Sequence, residues 1–446
     1  MHSVMTESPW QDDATREHSS PKRTEPAEPT ILILTAPTGA GHDSVAAALT
    51  DALGATLPRA RVLVWNPLCG GRIGVVRAGP WYNVVVAHAP RLWSWLYRLS
   101  DNERGVRLGS AAMAALWGRG LRATIRAARP DLIVSVHPLC VRLAADALRR
   151  EGSPAPHHCV VTDLASIHRS WAAPDVAAFY AATPQAAAAL ERHAVPPGRI
   201  RVTGLPLRRA FADLPPALPP AVPISDDAPV PRVVVLDGGR ATRALLGAAR
   251  ALLAADLPLR VTIVCGGNAR LRRRLTRIAA GRATVLGWCD DVAGLMRACD
   301  VVVTKAGSVT LAEAWSQGRP VLVYHVFPGQ EEGNVALLEW DGRSRYVPVV
   351  WGLPAAVRRA QGRGCASSRI HAAWWGQAAD RVATGVADAL KARQLVASGE
   401  SGLPYPVPPC RPTRREAAPA WAGYRATGDA PRLLRNARHR EEDSVR

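Results

Sequence analysis

Several features that would place this chain in other protein classes are missing. No apolar run approaches the roughly 20 residues that a helix needs to cross a bilayer. The eight cysteines form no CxxC pair and have no regular spacing, which argues against a zinc site or a disulfide framework. Met1 to Thr30 lack an apolar stretch, so we expect no secretory signal. We therefore expect a cytoplasmic protein that, where it meets a membrane, lies peripherally on its cytoplasmic face.

Lysine is also scarce, because arginine supplies nearly all of the positive charge. The 446 residues contain 56 Lys plus Arg against 37 Asp plus Glu, a formal net charge of +19, and the lysines are Lys22, Lys305 and Lys391. Such a balance favours anionic partners: lipid headgroups, nucleic acid or phosphorylated small molecules. A hydrophobic share of 48% excludes wholesale disorder.

Short β-branched runs alternate with Ala/Leu/Arg-rich stretches in two series, which is typical of βαβ units and parallel sheets. Eight prolines between Pro206 and Pro231 block both helix and central-strand structure and predict a linker. Two doubly wound domains leave a cleft between the carboxyl ends of their sheets, where such sheets bind ligands. The predicted division is a disordered leader at 1–29, a first domain at 30–205, a linker at 206–231, a second domain at 232–402 and a disordered basic tail at 403–446.

The strands predicted for the first domain are Ile31–Ala36, Val62–Trp65, Leu132–Val136, Cys159–Thr162, Ala178–Ala181 and Ile200–Thr203. Those predicted for the second are Val233–Leu236, Val261–Cys265, Thr284–Leu286, Val301–Thr304 and Val321–Tyr324, and His371–Leu395 is predicted as one closing helix.

The first strand runs into a glycine turn that delivers a histidine to the start of an Ala-rich helix. Gly39 and Gly41 allow a ligand to approach the backbone closely. The positive end of a helix disfavours protonation of His42, and a neutral imidazole can accept a proton. A plain turn with His42 as a helix cap is the equal alternative. The segment lacks the GK[ST] ending of a phosphate-binding P-loop.

Two further turns follow strands of the second series. Lys305 to Glu313 can hold a diphosphate on backbone amides, with Glu313 accepting hydrogen bonds from ribose hydroxyls. A capping box, Thr310-x-x-Glu313, is the alternative and the favoured one on this segment alone. Phe327 to Asn334 places several polar side chains where sugar hydroxyls need them, and a solvated loop is its alternative.

In the first domain, Asp163 at a strand end and the nearby His168 are candidate cleft residues, with a turn or surface role as the alternative. Residues 61–129 hold eleven Arg and only two acids, together with Trp65, Trp81, Trp93, Trp95 and Trp117. Tryptophan and arginine favour an anionic membrane face there. A solvated basic helix is the alternative. No nucleic-acid-binding motif is recognisable, so we expect no nucleic acid partner.

Taken together, these segments resemble the GT-B glycosyltransferases that include monogalactosyldiacylglycerol synthase and the processive diacylglycerol glucosyltransferases. The resembling stretches are Ile31–His42, Val160–Leu164 with His168 and Trp171, Val202–Pro206 and, most specifically, Gly287–Asn334 with its TKAG, LAEA and PGQEEGN runs.

The resemblance implies an α/β GT-B fold, two Rossmann-like domains facing across a cleft, and inverting transfer of a hexose from a UDP-sugar to diacylglycerol or a similar lipid on an anionic membrane. UDP-sugar is then a substrate, and no cofactor or obligatory metal is expected. His42 and Asp163 would be catalytic. The donor would contact Gly238, Gly239, Arg240, Lys305, Ala306, Gly307, Ser308, Thr310, Glu313, Gln330, Glu331 and Asn334. The acceptor or membrane would contact Gly39, Gly41, Trp81, Trp93, Trp95, His168 and Trp171.

The chain departs from the family's pattern at two places. Two arginines, Arg240 and Arg243, enter the usually glycine-rich loop after the first strand of the second domain, where either can contact phosphate. Ala40 stands where a glycine is usual. A transferase of N-acetylglucosamine to a polyprenyl-linked precursor, a transferase with a soluble acceptor, and a non-catalytic binder of lipid or nucleotide-sugar are the alternatives.

Overall fold

The computed structural model describes residues 28–36, 40–69, 90–212, 230–239, 241–341, 344–361 and 367–397. The predicted leader and basic tail, most of the predicted linker, and the site residues Gly39, Trp81 and Arg240 lie outside these ranges. Within them the chain builds two six-stranded sheets in which all the pairings are parallel. The predicted fold class is confirmed.

The first sheet has the strand order β2-β1-β3-β4-β5-β6. Its strands are β1 (Thr30–Leu34), β2 (Arg61–Trp65), β3 (Leu132–Ser135), β4 (His157–Val161), β5 (Ala178–Ala181) and β6 (Ile200–Val202). The helices among them are α1 (Ala40–Thr56), α2 (Pro90–Ser100), α3 (Glu103–Ala128), α4 (Pro138–Glu151) and α5 (Pro184–Arg192). β3, β4 and β5 are buried along their whole length, as expected of parallel strands covered on both faces.

The second sheet has the order β12-β11-β10-β7-β8-β9. Its strands are β7 (Arg232–Leu236), β8 (Arg260–Val264), β9 (Ala283–Leu286), β10 (Val301–Lys305), β11 (Val321–His325) and the two-residue β12 (Arg345–Tyr346), which the sequence did not predict. The helices are α6 (Ala244–Leu253), α7 (Ala269–Ala279), α8 (Val292–Ala298), α9 (Ser308–Ser316), α10 (Leu353–Gln361), α11 (Ser367–Gly376) and α12 (Ala378–Ala397).

The predicted single closing helix is wrong, because the helix is interrupted at Gln377 between α11 and α12. Gly376 lies so close to the chain that a β-carbon there would be 2.9 Å from the carbonyl oxygen of Ala212. A larger residue at position 376, just before this interruption, would therefore collide with the backbone at Ala212.

The last helix returns to the first domain, although the sequence assigned residues 232–402 to the second. α12 packs against α1 in one continuous apolar cluster. Arg381 Nε donates to the carbonyl oxygen of Thr203 at 2.9 Å, and Arg393 donates to the carbonyl oxygen of Asp131. The apolar face of α12 is therefore buried against the first domain, although the predicted bounds of the second domain run to residue 402.

Among the residues that the structure describes, no helix combines the length and the apolarity needed to span a bilayer.

Candidate active site

His42 lies in the first turn of α1, the helix that follows β1. Its ring is held by residues that follow the neighbouring strands β3 and β4. Its Nδ1 is 2.9 Å from the carbonyl oxygen of Val136, after β3, and 3.1 Å from Thr162 Oγ1, after β4. Because a carbonyl only accepts, Nδ1 carries the proton and donates it to Val136. Nε2 is left with the lone pair, which is the form that a general base requires.

Burial lowers the pKa of His42 to about 4, against the opposing effect of the hydrogen bond to Val136. The ring of His137 stands edge-on to it, with centroids 4.3 Å apart, and burial with the neighbouring His42 holds the pKa of His137 well below its usual value. Both imidazoles are therefore neutral at physiological pH. His42 combines the tautomer and the charge state of a proton acceptor.

Asp163 is buried one residue beyond Thr162. The indole Nε1 of Trp171 donates to its Oδ2 at 2.7 Å, and the side chain of Gln330 hydrogen-bonds to it from the second domain. Burial raises the pKa of Asp163 to about 6 although both hydrogen bonds lower it. Asp163 thus joins the two domains beside His42.

The turn after β10 forms the facing wall of the cleft. Gly307 precedes α9 and no side chain caps the helix there. The first amides of α9 therefore remain for an anionic ligand, which a helix N-terminus favours. Val309 touches the opposite glycine turn, since a β-carbon on Gly41 would lie 3.2 Å from its Cγ2.

The polar loop after β11 is tied to this turn by its own side chains. Glu331 forms an ion pair with Lys305 and accepts the Phe327 amide at 3.1 Å. Asn334 is buried and donates from Nδ2 to the carbonyl oxygen of Ala306 at 2.8 Å. Asn334 was predicted to contact the donor, and its Nδ2 contact shows that it also supports the turn. Gln330, from the same loop, hydrogen-bonds to Asp163 of the first domain.

Glu313 lies in the second turn of α9 and is not part of a capping box. The helix starts at Ser308 after Gly307, so Thr310 is not its cap, and the capping alternative is wrong. Glu313 is buried, and burial raises its pKa to about 7 against the lowering effect of Arg208. Arg208, from the first domain, brings its Nη2 within 3.9 Å of Glu313 Oε1. A buried carboxyl with spare acceptor capacity suits a hydroxyl ligand.

The loop after β7 completes the cleft. Asp237 is buried and accepts hydrogen bonds from the Thr242 amide, from the Thr242 hydroxyl and from the Tyr324 hydroxyl. Gly238 has φ +81°, which favours glycine, and Gly239 lies so close to α1 that a β-carbon there would be 2.6 Å from the Ala40 Cβ. Asp237 therefore braces the loop that holds Gly238 and Gly239.

The predicted acceptor and membrane residues separate into two groups. Trp95 is 59% exposed on α2, whereas Trp93 is half-buried and faces Tyr97. Trp171, predicted to contact the acceptor or the membrane, is fully buried and donates to Asp163, so its contact in this structure is with the protein core. His168 is also buried, with its ring enclosed under α2. Its side chain accepts from the Ser170 amide and so caps a short 3-10 turn.

Three residues near the cleft were missed by the sequence argument: His137, Arg208 and Trp288. The Trp288 indole is 64% exposed and reaches within 3.7 Å of the position that a Gly239 β-carbon would take. An exposed indole at a strand's carboxyl end offers a flat face to a base. Trp288 follows β9 and lies inside the resembling block Gly287–Asn334, and that position was the available signal. The described residues contain no cluster of three or more His, Cys, Asp or Glu that is placed to hold a metal ion.

Two facing parallel-sheet domains, a helix that crosses back and a cleft between strand ends define a protein of the GT-B class. Among solved structures, MurG of Acinetobacter baumannii covers 81% of this chain at 14% identity with a TM-score of 0.52. The glycosyltransferase SsfS6 of Streptomyces sp. SF2575, complexed with thymidine diphosphate, covers 81% at 17% identity with a TM-score of 0.51; each of the two structures is matched over its full length. These likenesses establish the fold.

Within that class, the chain resembles the monogalactosyldiacylglycerol synthases. Residues 42–207 match the family model described as Monogalactosyldiacylglycerol (MGDG) synthase, and residues 238–342 match Glycosyl transferases group 1. The chloroplastic synthase of Spinacia oleracea is 28% identical over 74% of this chain, and synthase 1 of Arabidopsis thaliana is 28% identical over 71%. The chain spans 64% and 62% of those two relatives. The predicted resemblance is confirmed.

Proposed function

We propose that the protein is an inverting glycosyltransferase that moves a hexose from a UDP-sugar to a hydroxyl of diacylglycerol or a similar membrane lipid. One observation carries the proposal: a neutral histidine with its lone pair on Nε2 lies beside Gly41, which touches Val309 in the first turn of a helix whose N-terminus has no side-chain cap. The names of the relatives support diacylglycerol as acceptor and galactose as sugar.

In this mechanism His42 Nε2 takes the proton of the acceptor hydroxyl as its oxygen bonds to the anomeric carbon. The bond from that carbon to the diphosphate oxygen breaks at the same time, so the configuration inverts. The amides at the start of α9 stabilise the charge of the departing diphosphate, because a pre-oriented helix end favours an anion. Arg208 adds a cation on the same side, and Glu313 accepts from the ribose. Metal independence remains a prediction.

The test is a transfer assay with the purified protein, diacylglycerol in vesicles containing phosphatidylglycerol, and UDP-glucose, UDP-galactose or UDP-N-acetylglucosamine. Mass spectrometry of the lipids identifies the product. We expect a monohexosyldiacylglycerol with one of the hexose donors. If UDP binds but diacylglycerol is never glycosylated, the proposal is wrong, and polyprenyl-linked or soluble acceptors are tested next.

Replacing Glu313 with alanine is expected to weaken UDP binding by about 1 to 3 kcal/mol, because ribose hydroxyls lose a buried acceptor. Glu313→Gln keeps one acceptor oxygen and should lose less. Calorimetry with UDP measures both variants, and circular dichroism checks that α9 persists. Equal UDP affinity in wild type and Glu313→Ala would assign Glu313 to the fold alone.

Binding to lipid vesicles is expected to depend on the outer face of α2. Trp95→Ala and Leu96→Ala should each weaken binding to phosphatidylglycerol vesicles by about 1 to 3 kcal/mol, the value of burying a large apolar side chain. Trp351→Ala is the matched control, since this tryptophan is 65% exposed in the second domain. Vesicle sedimentation measures the partition. Equal losses in the three variants would contradict the assignment of α2.

A further inference from the structure

α2 carries apolar side chains on the face that points away from the protein. Leu92, Trp95, Leu96 and Leu99 are 50%, 59%, 41% and 55% exposed. Their spacing of three, four and seven residues forms one stripe along a helix, which in most globular proteins faces the core. Here the stripe faces outward, and an outward apolar stripe beside arginine suits a lipid surface.

The other face of α2 holds the loop of the second domain that contains Gln330. Arg98 Nη2 is 2.8 Å and 2.9 Å from the two carboxylate oxygens of Glu332. Tyr97 packs flat against Gly329, where a β-carbon would lie 3.0 Å from its Cδ1. Gly329 has φ +91°. Glycine is therefore favoured at this position for two reasons, the backbone angle and the close contact with Tyr97.

The same loop makes the contacts that define the donor side of the cleft. Gln330 hydrogen-bonds to Asp163, Glu331 pairs with Lys305, and the Gly333 amide donates to Ser166 Oγ at 2.8 Å. Tyr97 OH donates to the carbonyl oxygen of Ser166 at 3.4 Å. Ser166 is therefore contacted both by α2 and by the loop of the second domain. A shift of α2 along the protein surface therefore moves residues 329–333.

We propose that α2 couples lipid binding to donor binding, with Arg98 and Tyr97 as positioning residues for the loop that receives the sugar. The inference rests on the proposed function for the identity of the lipid and the donor. When the apolar stripe enters the lipid surface, α2 is held in one position. Water screens the ion pair of Arg98 and Glu332 in the free protein. At the lipid surface the medium is less polar, so the electrostatic attraction between the two side chains becomes stronger.

Such coupling requires that the lipid-bound state binds the sugar-bearing donor more tightly, since a ligand shifts an equilibrium only through differential affinity. UDP lacks the sugar and should therefore be insensitive to vesicles. The distinction between UDP and UDP-sugar separates a loop effect from a general effect on the nucleotide site.

The experiment measures equilibrium binding of UDP-galactose, UDP-glucose and UDP with and without phosphatidylglycerol vesicles that contain no diacylglycerol, so that no acceptor consumes the donor. In wild type, vesicles should tighten UDP-sugar binding by about five-fold or more, the lower range of coupling between two sites, and leave UDP binding unchanged. Arg98→Gln should abolish the vesicle effect, measured at a lipid concentration at which sedimentation shows the variant fully bound, so that a weaker affinity for vesicles does not contribute.

Two further variants make the test specific. Arg107→Gln removes an exposed arginine from the next helix and should behave as wild type. The exchange Arg98→Glu with Glu332→Arg should restore the vesicle effect that either single change removes. A vesicle effect that persists in Arg98→Gln, or is absent in wild type, overturns the coupling alone. If neither UDP-sugar binds under any condition, the proposed function falls as well.

Discussion

Replacing His42 with glutamine is expected to lower kcat by about 100- to 10,000-fold, the usual contribution of a positioned general base. The KM for the UDP-sugar should change little, because His42 lies on the acceptor side of the cleft. Glutamine keeps a polar side chain of similar length but cannot take the proton. Steady-state kinetics on vesicles with both substrates varied separates the two constants.

The hydrogen bonds of His42 supply a control and a pH test. Thr162→Val removes one group near Nδ1 but leaves the carbonyl of Val136, so the tautomer and most of the rate should survive. Because the pKa of His42 is about 4, the base form should not be lost on the acid side until the pH approaches that value. A wild-type rate in His42→Gln would remove His42 from the mechanism.

The stability of the protein is expected to fall steeply as the pH drops below about 6.5. Burial lowers the pKa of His157 and of His158 to about 3, that of His42 to about 4, and that of His137 well below its usual value. In the unfolded chain these four take up protons as the pH falls through about 6.5, whereas the folded protein does not. Their stabilising contribution is therefore present above that pH and is lost below it.

Three carboxyls oppose this trend, because burial raises the pKa of Asp43, that of Asp163 to about 6 and that of Glu313 to about 7, so the folded state takes these protons first. Burial also lowers the pKa of His168 and His325, so the histidines outnumber the carboxyls. The net slope should be a loss of stability on the order of 1 to 3 kcal/mol per pH unit between about pH 6 and 4.5.

Urea unfolding at half-unit steps from pH 7.5 to 4.5 measures this slope. His157→Gln removes one titrating group and should flatten the slope by roughly 1 kcal/mol per pH unit, whatever its effect at pH 7.5. His193→Gln is a control at a histidine outside this buried set. A free energy of unfolding that stays level from pH 6.5 to 4.5 would contradict the prediction.

The strands and the two-domain plan were accessible from sequence, because β-branched runs such as Val301–Thr304 that alternate with helical stretches are typical of parallel strands covered on both faces. The course of α12 was not, since nothing local in residues 378–397 specifies α1 as its partner. His137 and Arg208 were missed for a similar reason. Each is a single residue without a motif, and its importance arises from a neighbour far along the chain.

The rotation of α2 about its own axis explains why one of its two tryptophans is exposed and the other is half-buried. Composition indicated a membrane face around Trp93 and Trp95, but two positions along a helix rotate a side chain by more than half a turn. Only the folded helix shows that Trp95 points outward while Trp93 points toward Tyr97.

The return of α12 makes the first domain a product of both ends of the folded chain. The apolar side of α1, with Val45, Leu49 and Leu53, is covered by Val382 and Val386, which are synthesised more than 300 residues later. During translation the apolar side of α1 therefore stays uncovered until the second sheet and α12 have been synthesised. Completion of the C-terminal half is in this sense the last folding step of the N-terminal one, and a fragment ending near residue 231 would lack part of its own core.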